Sequence, residues 1–405
     1  LPPFERRDDR VLVRLRDPAD FDRFVSGLAG GVSIGHRYDL VPGLLRLDVA
    51  PGTADAVLSG LHTNALLAYA EPDFIVREHN LPNDPQLDLL YGLRNFGQTI
   101  DGQSGFVGAD VGVDAMWPEF IGDQDFVIAV IDSGMDLDHP DLVANLWTNP
   151  GEIAGNGVDD DNNGYVDDVH GWDFRYDDND PSNGSSHGTH VSGTIAARGD
   201  NGVGVVGVVW QASIMPLKFL DGGGATSDGI AALEYAVEQG ALISNNSWGG
   251  GGRSQSLEDA LTASGDAGHL FVSSAGNGGS STPSYPARYP NENVLAVAAL
   301  DNRDRLAGFS DYNATSVDLG APGVDTYSTE IGGGYSYKSG TSMASPHAAG
   351  VSAAIYMWGV DRGWTWRDVK EHVMNTSRPL ASLDGRTVTG GAIDLRRAWP
   401  ERVRP

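Results

Sequence analysis

From residue 126 onward the chain alternates short apolar runs with stretches of helical period. FVIAVID (126–132), SIMPLKFL (213–220), ALISNNSW (241–248), HLFVSSAG (269–276) and NVLAVAAL (293–300) are the runs, and TSDGIAALEYAVEQG (226–240) and SLEDALTASGDAG (256–268) are two of the intervening stretches. Strands that are apolar on both faces must be covered on both faces, so the pattern predicts an α/β fold, a mostly parallel sheet flanked by helices. In such sheets chemistry gathers at the carboxyl ends of the strands. Asp132, Ser247 and Asn277 stand at those ends.

Residues 10–78 follow another rule. RVLVRL (10–15) alternates like a strand, and DPADFDRFVSGL (17–28) carries a helix start signal and a helical apolar period. Residues 35–50 read as two strands around Pro42–Gly43, 51–63 as a second helix and 66–79 as a final strand. The order β-α-β-β-α-β predicts a small α+β open sandwich preceding the larger domain. Asn, Pro and Asp crowd together in HNLPNDPQ (79–86), which reads as a linker or turn. The expected domains are therefore 1–80 and 81–405.

Charge narrows the function. The chain carries 27 basic and 55 acidic side chains, a net charge of −28, so it lacks the basic surface that nucleic acid or an anionic membrane requires. Asp outnumbers Glu and Lys occurs only at 218, 338 and 370, a balance that suits either a saline habitat or a GC-rich genome. With no cysteine, disulfides, thiolate metal sites and cysteine nucleophiles are excluded. No apolar run approaches ~18 residues, so no membrane span is expected. Residues 1–10 have no apolar signal-peptide core, and a start at Leu1 reads as a trimmed secretory precursor or a start set for expression.

Four segments carry the chemistry: VIDSGMDLDHPDL (130–142), HGTHVSGTIAA (187–197), SSAGN (273–277) and GTSMASPHAAG (340–350). Taken alone, a strand-end Asp is an ordinary turn residue and a Ser before a helix an ordinary cap. His187 and His190 could form half of a metal site, but no third ligand lies at a suitable spacing. Together and in this order, the segments resemble the signatures of the subtilisin-like serine proteases, over roughly residues 82–399. The resemblance implies a subtilisin-like fold and a serine endopeptidase acting on proteins and peptides. A serine hydroxyl is a poor nucleophile until an imidazole takes its proton. The resemblance makes Ser342 that nucleophile, His187 the general base and then acid, Asp132 the residue orienting His187, and Asn277 an oxyanion donor beside the Ser342 N–H. His190 and His347 are expected to be packed structural residues. A sedolisin-type acid protease would need Glu for His187 and Asp for Asn277.

The resemblance also implies a substrate-pairing strand at Ser247, Trp248 and Gly249, and an S1 pocket lined by Gly249, Gly250, Ala275 and Gly276 with Ser284 near its floor. No acidic residue falls at those positions, so apolar or aromatic P1 residues are expected. Trp248 reads equally as a core aromatic.

Calcium is the expected cofactor. In DDDNNGYVDD (159–168), Asp159, Asp161, Asn163 and Gly164 fit D-x-[DN]-x-[DN]-G, although His170 stands where an EF-hand has Glu. Asp167 or Asp168 is expected to close the site and Tyr165 to offer a carbonyl. The family resemblance implies a second site, with Asn201, the carbonyls of Val203 and Val205, and the acids Asp84 and Asp141. Finally, residues 1–80 resemble the family's propeptide, a folding chaperone and inhibitor. This places a scissile bond after His79 or Asn80. The expectation is a secreted monomer made as a zymogen.

Overall fold

The structure, a computed structural model, describes residues 6–74, 81–182 and 184–400. The chain forms two compact units, Leu1–His79 and Asn80–Pro405.

The first unit has the expected element order: β1 Arg6–Leu15, α1 Phe21–Ser26, β2 Ser33–Arg37, β3 Leu44–Asp48, α2 Ala54–Leu61 and β4 Leu67–Phe74. Its antiparallel sheet runs β2-β3-β1-β4. Val11, Val13, Leu45 and Leu47 alternate onto one face and bury against Phe24, Ala54 and Leu58 of the helices. The first helix is shorter than expected, because Asp17 caps a 3-10 turn at Pro18–Asp20 before α1 begins, and Gly27 ends it. Residues 75–80, which include the expected scissile bond and the end of the 66–79 strand, lie outside the described residues.

The second unit is built on β5 Gly122–Asp132, α3 Ser186–Ala196, β6 Gln211–Lys218, α4 Thr226–Glu238, β7 Ile243–Asn246, α5 Gln255–Asp266, β8 Leu270–Ser274, β9 Val294–Leu300, β10 Leu319–Pro322, β11 Thr326–Glu330, β12 Gly334–Lys338, α6 Thr341–Val360 and α7 Trp366–Asn375. The six long strands β10-β9-β8-β7-β5-β6 are all parallel, and two-residue strands extend both edges to give nine strands. Every residue of β7, β8, β9 and β10 is buried, as strands covered on both faces must be. The core of one face holds Ile128, Val130, Val272 and Val297 with Val191 and Ile195 of α3 and Ala348 of α6. Ala129, Ile131 and Phe271 face the other way, against Leu233 and Leu261 of α4 and α5.

The strand order reverses beside β5: β6 lies on one side and β7 on the other. At such a switch point the two connections diverge and leave a crevice at the carboxyl ends. The hairpin β11–β12, which sequence periodicity did not predict, turns through the glycine cluster 332–334 and packs on α3. Among the described residues no helix is long and apolar enough to cross a membrane.

Candidate active site

The crevice at the switch point is a cleft of about 520 Å³ lined by Asp132, His187, Ser247, Asn277 and Ser342, among others. Each side chain arrives from a different element. Asp132 is the last residue of β5 and is fully buried. His187 is the second residue of α3, whose N-cap Ser185 accepts a bond from the His187 N–H. Helix α3 can approach β5 this closely because Gly188 has no side chain. A Cβ there would lie 2.0 Å from the Gly134 carbonyl oxygen.

The bond between Asp132 Oδ1 and His187 Nδ1 is 2.8 Å long. The carboxylate also accepts the Ser133 N–H at 2.7 Å. Burial by itself would lower the His187 pKa, but the charge and the hydrogen bond of Asp132 outweigh it and raise the pKa above the ordinary histidine value. With Nδ1–H directed at Asp132, Nε2 is left as the proton acceptor.

Ser342 is the second residue of α6. Its Oγ donates to the Ser247 carbonyl at 3.0 Å, and Ser247 Oγ donates to the Ser342 carbonyl at 2.8 Å. Asn245 Nδ2 donates to Ser247 Oγ in turn, and Ser345 Oγ donates to Asn245 Oδ1. Asn277 follows β8. Its Oδ1 accepts both the backbone N–H and the hydroxyl of Thr341, at 2.9 and 3.0 Å. That double bond fixes which way the amide faces and leaves Nδ2 as a donor. Thr341, Asn245 and Ser345 were missed from the sequence, since small polar residues next to a motif carry no signal of their own.

Of the other cleft residues, Ser247, Trp248, Gly249, Gly276 and Ser284 lie on its wall. Ala275 does not; it is fully buried against Ala298 and Val317. Gly250 bonds through its N–H to the Tyr285 carbonyl and stands outside the lining. The Trp248 ring makes edge-to-face contacts with Phe219 and Phe271, as a core aromatic does, and the residue also lines the cleft. His190 Nε2–H donates to the carbonyls of Thr326 and Ser336, and burial pushes its pKa down to about 3. His347 bonds Met343 O, and burial lowers it to about 4. Both are packed and neutral.

The acidic loop folds around its own carboxylates. Ligand-capable oxygens of Glu152, Asp161 and Asp168 lie within 4.8 Å of one another. Asn149 and Asn163 each bridge Asp161 and Asp168 through their amides. Glu152 Oε2 is buried there without a hydrogen-bond partner, and three carboxylate oxygens at this spacing could hold a hard cation. Asp167 stands apart, because its carboxylate is taken by the N–H groups of Asn156 and Gly157. Asp159 accepts the N–H groups of Asn163 and Gly164. The Tyr165 ring packs on Trp172 and Tyr235, and its N–H bonds Asn163 Oδ1. Glu152 lies seven residues before the motif, out of reach of any spacing rule.

At the second expected site, Asp141 accepts bonds from Asn201 Nδ2, the Val205 N–H and Tyr335 Oη. The Val203 N–H bonds Asn201 Oδ1. Burial, with the nearby charge of Asp141, raises Asp84 to about 6. Asp84 Oδ1 and Gln86 Oε1 are buried with no donor facing them. Both are hard oxygen ligands, and they fit a calcium ion better than they fit water-free burial.

Comparison with known proteins places this arrangement. The model of the subtilase family matches residues 123–394. A thermophilic serine proteinase of Bacillus sp. (strain AK1) is 38% identical over 311 residues, covering 76% of this chain and 68% of its own. Thermitase of Thermoactinomyces vulgaris is 35% identical over 256 residues, covering 63% and 81%. Alkaline elastase YaB of Bacillus sp. (strain YaB) is 31% identical over 382 residues, covering 93% of this chain and 85% of its own. A solved protease from Pseudoalteromonas arctica superposes with a TM-score of 0.64 at 27% identity, over 79% of this chain and 98% of that one. The fold and the cleft are those of a serine endopeptidase of the subtilisin type. The chain belongs to the subtilase family.

Proposed function

We propose that this protein is a secreted, calcium-stabilised endopeptidase made as a zymogen, with Ser342, His187, Asp132 and Asn277 as its catalytic residues. The observation that carries the reading is the 2.8 Å bond between Asp132 and His187 on the same cleft as Ser342 and Asn277. Substrate lies extended along Ser247–Gly249, and the Ser342 hydroxyl turns from the Ser247 carbonyl to His187 Nε2, a bond that tightens only with substrate in place. The Ser342 oxygen attacks the scissile carbonyl carbon while its proton passes to Nε2. The resulting oxyanion is met by Asn277 Nδ2 and the Ser342 N–H. His187 then returns the proton to the leaving amine, the acyl-enzyme forms, and water repeats the sequence to release the acid. Asp132 stays ionised and holds the imidazole. With no acid on the cleft wall between Gly249 and Ser284, apolar or aromatic P1 residues are favoured.

Glu152, Asp161 and Asp168 would hold one calcium ion, and Asp84, Asp141, Asn201 and Gln86 a second, with carbonyls of Val203 and Val205. Bound there, the ion neutralises clustered carboxylates and takes no part in the chemistry. Residues 1–80 act as propeptide. Supporting this, the similarity to alkaline elastase YaB covers 93% of the chain and so extends beyond residues 80–405. Export and a monomeric mature form complete the reading.

The test uses the full chain. Active protein is expected to react with a fluorophosphonate at Ser342 and to split near residue 80, while Ser342→Ala does neither. The 1–80 fragment is expected to inhibit the mature enzyme in trans. Labelling elsewhere than Ser342 would refute the catalytic assignment. An intact active chain unaffected by added fragment would refute the propeptide.

A further inference from the structure

Lys338 closes the hairpin strand β12 four residues before Ser342, and its Nζ donates to Ser186 Oγ at 2.8 Å. Ser186 is the first residue of α3 and the neighbour of His187. One lysine therefore joins the segment carrying the nucleophile to the turn carrying the base. Its charge is balanced by Glu330 on β11, 3.0 Å away, and Ser336 Oγ donates to the same carboxylate at 2.6 Å. Lys338 is one of only three lysines in the chain, and Glu330 offsets its charge at the N-terminus of α3, where a lone cation would be unfavourable.

We propose that the Lys338–Glu330 pair is a positioning device that holds the first turn of α3, and that its two opposite charges, seated on the residue next to His187, tune the acid limit of activity in opposite senses. The inference rests on His187 being the general base.

Among the described residues, few charged or titratable groups act on His187. Asp132 on β5 bonds it directly and raises its pKa. Lys338 on β12 acts in the opposite sense. Glu330 on β11 is kept ionised because, although burial opposes its charge, bonds from Ser186, Ser336 and Lys338 hold its pKa at about 2. His190, one turn along α3, is neutral. Lys218 on β6 is tied to Asp173 at 2.7 Å, and α6 brings the uncharged Ser342. A lysine bonded to the residue before His187 disfavours the protonated imidazole, so the base stays neutral, and active, to lower pH than Asp132 alone would allow.

The signs for the two partners are opposite, which separates charge from packing. Lys338→Met removes the opposing charge, so the acid limb of kcat/KM moves to higher pH. Glu330→Gln leaves the lysine unbalanced, so the limb moves to lower pH. Each shift is expected to be roughly 0.3 pH unit at low ionic strength, the size that a half-solvated charge exerts over several ångströms, and to shrink in 1 M salt. Lys338→Arg should keep the wild-type limb. The His187 ring titration followed by NMR in the Ser342→Ala background gives the same shifts without reference to turnover. Limbs and titrations that stay put in both charge variants, or move in the same direction, would overturn the proposal. A wild-type enzyme with no acid limb would overturn the role of His187 instead, and this inference with it.

Discussion

Ser247 donates its hydroxyl to the carbonyl of Ser342 at 2.8 Å, the acceptor that Pro346 leaves without a helical partner. In a regular helix the N–H four residues on would fill that place, and proline has none. The residue just after β7 therefore supplies the missing donor and pins the first turn of α6 with Ser342 in it. Removing that hydroxyl in Ser247→Ala is expected to cost about 1–2 kcal/mol of stability, read as a lower Tm. It should also lower kcat more than it raises KM. Unchanged Tm and kcat would show the bond to be incidental.

Asn277 is held by Thr341 so that its amide donates into the cleft. Asn277→Leu should lower kcat with KM nearly unchanged, because the donor acts only once charge develops on the substrate oxygen. In subtilisin, the reference example of this device, loss of the corresponding donor costs about 10²–10³ in kcat, and that magnitude is carried over from the relative. Thr341→Val removes one of the two bonds that hold the Asn277 amide, leaving the backbone N–H, and should show a smaller loss of the same kind. A rise in KM alone would assign Asn277 to substrate binding.

His187 must be neutral to accept a proton, and Asp132 raises its pKa above the ordinary histidine value against the effect of burial. Activity is therefore expected to fall as pH drops through a midpoint above 6.5, and to be full on the alkaline side. Asp132→Asn removes the raising charge while burial remains, so the residual activity should show its acid limb at lower pH. Its rate should fall on the order of 10⁴, since the imidazole loses its oriented tautomer. A limb that stays where it was would mean another group controls it.

The buried, unpartnered Glu152 Oε2 beside Asp161 and Asp168 is the clearest reason to expect a cation in the acidic loop. Ligands that bind only the native state stabilise it by mass action. Excess chelator should lower Tm, and calcium at a hundred times its Kd should restore about 2.7 kcal/mol per site. Glu152→Gln should make the loop's share of that response vanish or require far more calcium. A melting curve indifferent to both chelator and Glu152→Gln would remove the site.

The sequence alone determined the class of fold and named the candidate reacting groups. Strands apolar on both faces admit only a covered parallel sheet, and the segments around Asp132, His187, Asn277 and Ser342 are too specific to arise as unrelated caps and turns. Only the tertiary structure decided what holds those groups in place. Thr341 beneath Asn277, Ser247 on the Ser342 carbonyl, and Lys338 on the first turn of the base helix are contacts between elements far apart in the chain, and no local period records them. The acidic loop shows the same division. Its alternating Asp and Asn residues announce oxygen ligands. Which of them converge was settled by folding: Asp167 turned to the N–H groups of Asn156 and Gly157, and Glu152 arrived from outside the motif. A carboxylate goes wherever backbone donors or a shared charge lower its energy most, and those partners exist only once the chain has folded.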